Sequence, residues 1–151
     1  MSKGRDFTVN LSAFIKKGRA NMDAVVRKIV LDMSTSIVMR SPVGDGTLWK
    51  NPPPKGYIGG RFRANWQYGN MAEPSGELPD IDPSGQASIA RITAGLPPIG
   101  AAGMVHMIRN NLPYSERLET GWSKQASAGM VGLTVVEFAS TVEAAVRAIN
   151  K

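Results

Sequence analysis

Between Asn10 and Met39 the apolar positions fall at Leu11, Phe14, Ile15, Met22, Val25, Val26, Ile29, Val30, Met33 and Ile37. This is the three-and-four spacing that lays one stripe along a helix. Asn10 is a good N-cap, and Lys16, Lys17, Arg19, Asp23, Arg27 and Lys28 fall largely off the stripe. The spacing predicts a helix buried along that stripe and, if unbroken, on the order of 40 Å long. Gly18 and the run Ser34–Ser36 are points where it softens. Pro42 ends it, because a proline disfavours helical backbone in the residue before it.

Beyond Arg40 the periodicity stops. Ser41-Pro42-Val43-Gly44-Asp45-Gly46-Thr47 and Asn51-Pro52-Pro53-Pro54 read as loop, the three prolines enforcing an extended path. Arg61–Ala64 reads as a helical turn feeding a strand at Trp66–Tyr68. From Met71 to Gln86 there are four acids, Glu73, Glu77, Asp80 and Asp82, no Lys or Arg, and three prolines; this is an acidic loop. Ala87–Leu96 carries Ile89, Ile92 and Leu96 at helical spacing with β-branched content, so helix and strand both stay open. Val105–Arg109 reads as a buried strand, Asn110–Pro113 as a turn, and Tyr114–Thr120 as a short helix with Gly121 just past its end. A last helix, from Met130 or Thr134 to about Asn150, is expected to bury Leu133, Val136, Phe138 or Val142, Val146 and Ile149. No internal repeat is visible, and residues 1–151 read as one domain with extended loops at about 41–60 and 71–86.

Charge is unevenly placed. Of a net +6, residues 1–40 hold eight Lys or Arg against three Asp, which is +5, while the four acids of the 71–86 loop make it −4. The basic helix face reads first as a solvated surface, with DNA or an acidic protein as possible partners. Arg61, Phe62, Arg63, Trp66 and Tyr68 interleave cations and aromatics in a way that suits base stacking, or else core anchors with flanking charges. No sequence-specific DNA-binding pattern accompanies them. The two opposed charge blocks, eight methionines, three tryptophans and long Pro/Gly loops suit a subunit that docks head-to-tail with copies of itself; the plainer alternative is a monomer with solvated charges.

The material for catalysis is thin. With no cysteine and one histidine, thiolate metal sites, thiol nucleophiles, disulfides and His-rich metal centres are excluded. His106, alternating with Val105 and Met107, reads as a structural histidine. Ser84 and Ser123 lack a nucleophile-elbow setting, no Walker or dinucleotide glycine pattern is present, and Gly44-Asp45-Gly46 and Gly59-Gly60 read as turns. No enzyme, cofactor or metal is expected. No 18-residue apolar window and no leader-like N-terminal run occurs, so the expectation is a cytoplasmic, non-membrane protein.

Two segments resemble a known family. Ser41-Pro42-Val43-Gly44-Asp45-Gly46-Thr47-Leu48, continued after an insertion by Gly60-Arg61-Phe62-Arg63-Ala64-Asn65-Trp66, is similar to the first signature of tail completion, or head–tail joining, proteins of long-tailed bacteriophages. Asn110-Asn111-Leu112-Pro113-Tyr114-Ser115-Glu116-Arg117-Leu118-Glu119-Thr120-Gly121-Trp122-Ser123, with Gln125-Ala126 and Gly129-Met130-Val131, resembles the second. The chain departs in the insertion and in having Gly44-Asp45 where the family shows Asp-Thr. The resemblance implies an α+β subunit, a long N-terminal helix packed on a small antiparallel β-sheet with short helices and a C-terminal helix. It implies a virion structural protein, assembled in the host cytoplasm, that forms a ring, usually sixfold, between head connector and tail tube; a tail-terminator ring and a basic nucleic-acid-binding protein are the alternatives. The expected partners are copies of itself, tail-tube and connector proteins, and genomic DNA in the lumen. Phe62, Trp66, Tyr114 and Trp122 are the expected packing or interface anchors. Lys16, Lys17, Arg19, Arg27 and Lys28 are candidate lumen or partner-facing cations, and Glu73, Glu77, Asp80 and Asp82 candidate docking-loop acids.

Overall fold

A computed structural model describes the backbone of residues 2–151 and, within the first helix, the side chains of residue 13 and of residues 15 onward. Helix α1 runs unbroken over Ser2–Arg40, 39 residues or about 58 Å. It starts earlier than the expected N-cap at Asn10, because no proline precedes that position and the helical hydrogen-bond ladder passes straight through it. Gly18 does not break it either. Ser34 is accommodated by donating its hydroxyl to Val30 O at 2.6 Å, the back-bond that lets a serine sit inside a helix. The stripe is buried at one end only: Ile37 and Val38 are enclosed, whereas Ile15 and Met22 are 45% and 60% exposed. The expected burial of those two is thereby corrected, and Leu11, Phe14 and the Asn10 side chain lie outside the described residues.

After α1 come α2 (Arg61–Ala64), β1 (Trp66–Asn70), α3 (Gln86–Gly95), β2 (His106–Asn110), α4 (Ser115–Glu119), α5 (Val131–Val136) and α6 (Phe138–Ile149), with single 3₁₀ turns between some of them. The fold is mixed α and β. Its sheet is one antiparallel pair in the register Trp66↔Asn110 to Asn70↔His106. The segment 87–96, open between helix and strand from its sequence, is helical. Helix α1 lies along α6 and α3, α3 lies on β1, and Ile37 and Val38 of α1 reach the same core cluster as Phe62, Trp66, Ile92, Leu112 and Met130.

Trp66 joins the strand to the end of α1. Its indole N–H donates to Ser41 Oγ at 2.8 Å, and that hydroxyl donates to Ile37 O at 2.7 Å. Arg63 spreads its guanidinium over three carbonyls, Ser41 O at 2.9 Å, Met39 O at 3.0 Å and Pro83 O at 2.7 Å, placing a cation at the negative C-terminal end of α1.

Gly60 ties these segments together. It has φ of 110°, its N–H donates to Val43 O, and its carbonyl accepts from Asp82 N. A Cβ there would lie 2.4 Å from the Pro83 nitrogen. Gly60→Ala combines a backbone that L-residues rarely adopt with a main-chain collision, so a loss of about 3 kcal/mol is expected. Thermal unfolding checks it, against Gly56→Ala, which shares a positive φ of 79° but meets nothing within 4 Å.

The C-terminal region departs from the expected single stripe. The segment Lys124–Val136, which ends in α5, is bent by 52° from α6, and Glu137 separates the two helices. The break rotates the apolar positions, so Leu133, Val136, Phe138 and Val146 are exposed and Val142 and Ile149 half-buried, while Thr134 and Ala145 are buried. The small residues face α1: Thr134 Oγ1 lies 3.1 Å from Ser36 Oγ.

Candidate assembly surfaces

The two signature segments meet. Gln125 Oε1 accepts from the N–H groups of Val43 and Gly44 at 3.0 and 3.2 Å, and Asn110 Nδ2 donates to Phe62 O at 2.9 Å. Phe62 stacks edge-on against Trp66 at 5.8 Å between centroids and lies 6.1 Å from Tyr114. Phe62 and Trp66 are therefore core anchors, closed to bases, and Arg63 is spent on main-chain carbonyls. The stacking platform that 61–68 suggested does not form.

Tyr114 and Trp122 differ from that pair. They line an open groove of about 560 Å³ that takes Pro42, Gly44, Asp45, Leu48 and Arg61 from the first segment, Arg117, Leu118 and Gln125 from the second, and Trp49 and Tyr57 from the insertion. The Trp49 and Tyr57 rings pack at 4.7 Å. Burial raises the pKa of the Tyr114 phenol, against the pull of Arg61. Trp122 is 73% exposed, with the Arg117 guanidinium 5.2 Å from its ring centroid, a cation–π contact at an open site. Exposed aromatics beside arginines are the composition of interface hot spots. Trp122→Ala is expected to leave the melting temperature of the isolated chain within about 2 °C, as for a surface substitution; differential scanning calorimetry checks it.

Three of the candidate acids have cations beside them within the chain, each in a solvent-exposed pair. Glu73 pairs with Arg109, Glu77 with Arg61 at 2.7 Å and Asp80 with Arg91 at 3.6 Å. Asp82, expected in an outward docking loop, is buried. It accepts from Ser84 Oγ, Gly85 N, Ser88 N and Ser88 Oγ at 2.8–3.0 Å. Burial pushes its pKa up, but the bonds from Ser88, Ser84 and Gly85 outweigh it and hold the carboxyl below the usual aspartate value. Its place is at the start of α3, not at a partner.

Among the candidate cations, Arg27 donates to Leu96 O at 3.1 Å and Pro97 O at 2.6 Å, and Lys28 pairs with Asp32 at 2.9 Å. Asp23 beside them accepts from Gly100 N and Ala102 N, so this part of α1 fastens the 96–102 loop. Lys16, Lys17 and Arg19 lie in a stretch of α1, residues 15–20, that is exposed throughout.

Two features escaped sequence reasoning. Glu119 accepts from the N–H groups of Met130, Val131 and Gly132 at 2.8–3.0 Å, capping α5 from another helix. Burial raises its pKa, and those three backbone bonds more than reverse the effect. Only the recurrence of Glu119 and Gly-Met-Val in one signature hinted at a link. The exposed α5–α6 corner is the second feature, hidden because a stripe at helical spacing reads as buried.

His106 uses both ring nitrogens internally, Nδ1 with Tyr68 Oη and Nε2 with Ala101 O, each at 2.8 Å. A carbonyl only accepts, so Nε2 carries a proton. Among the described residues no three His, Cys, Asp or Glu side chains stand close enough to hold a metal ion, and no single helix is long and apolar enough to cross a membrane. No protein-family model matches the chain, and no curated protein and no solved structure matches it either.

Proposed function

We propose that this protein is a non-enzymatic virion structural subunit of a long-tailed phage neck, forming a ring, hexameric in the simplest case, that joins the tail tube to the head connector. One observation carries the reading. The two segments that resemble the tail-completion signatures, separated by the 43 residues 67–109, are hydrogen-bonded to each other through Gln125 and Asn110 and together line the Trp49/Tyr57/Tyr114/Trp122 groove. The signature residues thus divide between building this junction and presenting aromatics at its surface, a division that suits docking.

Negative-stain imaging of the purified protein with tails that lack it tests the proposal. Rings on the tail end that meets the head are expected; no ring and no tail-end binding at high concentration would overturn the reading. Deleting the gene from its phage should leave normal-length tails and filled, unjoined heads. Tails of abnormal length would instead make the ring a tail terminator. Duplex binding at ~150 mM salt, tighter than that of a control protein of matched charge and falling steeply with added salt, would favour the nucleic-acid reading.

A further inference from the structure

Helices α5 and α6 meet at a single residue. Glu137 has φ −86° and ψ 1°, a rotation of about 40° in ψ from an ordinary helix. Its N–H still donates to Leu133 O at 3.2 Å and its carbonyl accepts from Thr141 N at 3.0 Å, so helical bonds run up to the bend from both sides. Sharp bends are almost always made by proline, a Gly/Ser pair, a bulge or an inserted group. No proline and no glycine occurs from Leu133 to Ile149. Ser140 and Thr141 turn their hydroxyls onto Glu137 O, which softens the ladder there without stopping it.

The sequence is patterned for the unbent form. On one continuous helix Val131, Val135, Phe138, Val142, Val146 and Ile149 share an arc about 80° wide at 3.6 residues per turn. The bend splits that stripe: Val131, Val135, Phe138 and Val146 are exposed, while Val142 and Ile149 are half-buried. α6 is also lightly tethered. Among the described residues it packs on α1, with only minor contacts beyond that and its neighbour α5, and its side-chain hydrogen bonds stay within it or end on Glu137. Its 12 residues are about 18 Å long, so opening the 52° bend swings its far end by roughly 16 Å. That exceeds the about 8–10 Å at which helices pack, and a straightened α6 leaves its own α1.

We propose that α6 is an exchanged arm: on assembly α5 and α6 join into one helix over residues 131–149, and α6 packs on the α1 of a second copy. The surface it needs is the α1 face that it covers in its own chain, so the fit and the charges are those already made within one molecule. Exchange of an identical element is a low-cost route to association, and passed from copy to copy in one direction it closes into a ring when the rotation allows. The inference rests on the ring reading for that closure alone.

The chain has no cysteine, so an α1–α6 pair can be introduced cleanly. Ala145→Cys, at a fully buried α6 site, is combined with single cysteines scanned over the half-buried α1 positions 24–33; a disulfide needs Cα atoms within about 7 Å, so only pairs in register close. After refolding at micromolar concentration the closing pair should give a band at 16.2 kDa on non-reducing gels. After refolding at millimolar concentration the assembled fraction should give dimers and a ladder through the same pair. Inserting Gly-Ser-Gly after Glu137 lengthens the hinge and lets α6 stay on its own chain, which should cut the assembled fraction about tenfold while the monomer stays folded. A disulfide that remains within one chain in the assembled fraction would overturn the exchange, as would no assembly at millimolar concentration, no pair that closes, or assembly unmoved by the insertion. Rings at tail ends whose disulfides remain within one chain would leave the neck reading standing and remove the exchange alone.

Discussion

Replacing Trp66 by alanine is expected to cost about 3–5 kcal/mol, the range for emptying a large aromatic site in a core. At about 2–4 °C per kcal/mol for a domain of this size, the melting temperature should fall by roughly 6–20 °C. The residue is 4% exposed, meets Phe62 edge-on, and gives its N–H to a hydroxyl that itself caps Ile37 O. Alanine opens the cavity and leaves the Ser41 hydroxyl with its bond to Ile37 O but no incoming donor. Trp66→Phe keeps most of the ring and should cost about 1–2 kcal/mol, chiefly for the lost hydrogen bond. Ser41→Ala removes the same bond from the other side, so the double variant Trp66→Phe/Ser41→Ala should fall short of the summed losses. Differential scanning calorimetry decides it: an alanine variant melting within 2 °C of the parent would place the centre of the core elsewhere.

Asp82→Asn is expected to cost about 2–3 kcal/mol at pH 7, as for bonds to a charged, enclosed acceptor, and to flatten the acid side of the stability profile. The folded-state pKa of Asp82 is lowered, so its contribution is complete above the unfolded aspartate value of about 4 and is lost as pH falls through the folded value. Glu119 acts in the same direction. The parent protein should therefore lose stability steeply below about pH 4, and its advantage over Asp82→Asn should shrink there. Urea unfolding at pH 7 and pH 3 measures the gap. An undiminished gap at pH 3 would mean that the start of α3 does not depend on the carboxylate charge.

Local pattern was enough where local forces decide. The strands expected at 66–68 and 105–109 and found at 66–70 and 106–110, the turn from Asn110 and the proline stop at Pro42 follow from residue types within a few positions, although the second strand is only half-buried and Val105, just outside it, is exposed. Asp82 was not readable, since it lies three residues before the N-cap Gly85 of α3 and reaches Gly85 N and Ser88 N only once the chain has turned. The cations that answer Glu73, Glu77 and Asp80 lie at 109, 61 and 91. Such pairs exist only once the chain is folded, so a charge count over a window could not show that these acids have cations beside them within the chain. Burial failed for a related reason. Spacing marks one face of a helix, but whether a neighbour covers it depends on where that neighbour ends and bends, as at Glu137. Half of the groove was visible as Tyr114 and Trp122; Trp49 and Tyr57 sat in an insertion that matched nothing in the signature.

The pairing of α1 with α6 also has a consequence for synthesis. α6 ends 109 residues after α1, so at translation rates of about 5–20 residues per second the first helix waits roughly 5–20 s for its partner. A nascent chain in that interval leaves the side of α1 that α6 will cover open to anything nearby. Ribosome-associated holding factors, not the speed of the final packing step, should then govern the yield of soluble protein, and stop codons before Phe138 should yield chains that aggregate rather than shortened domains.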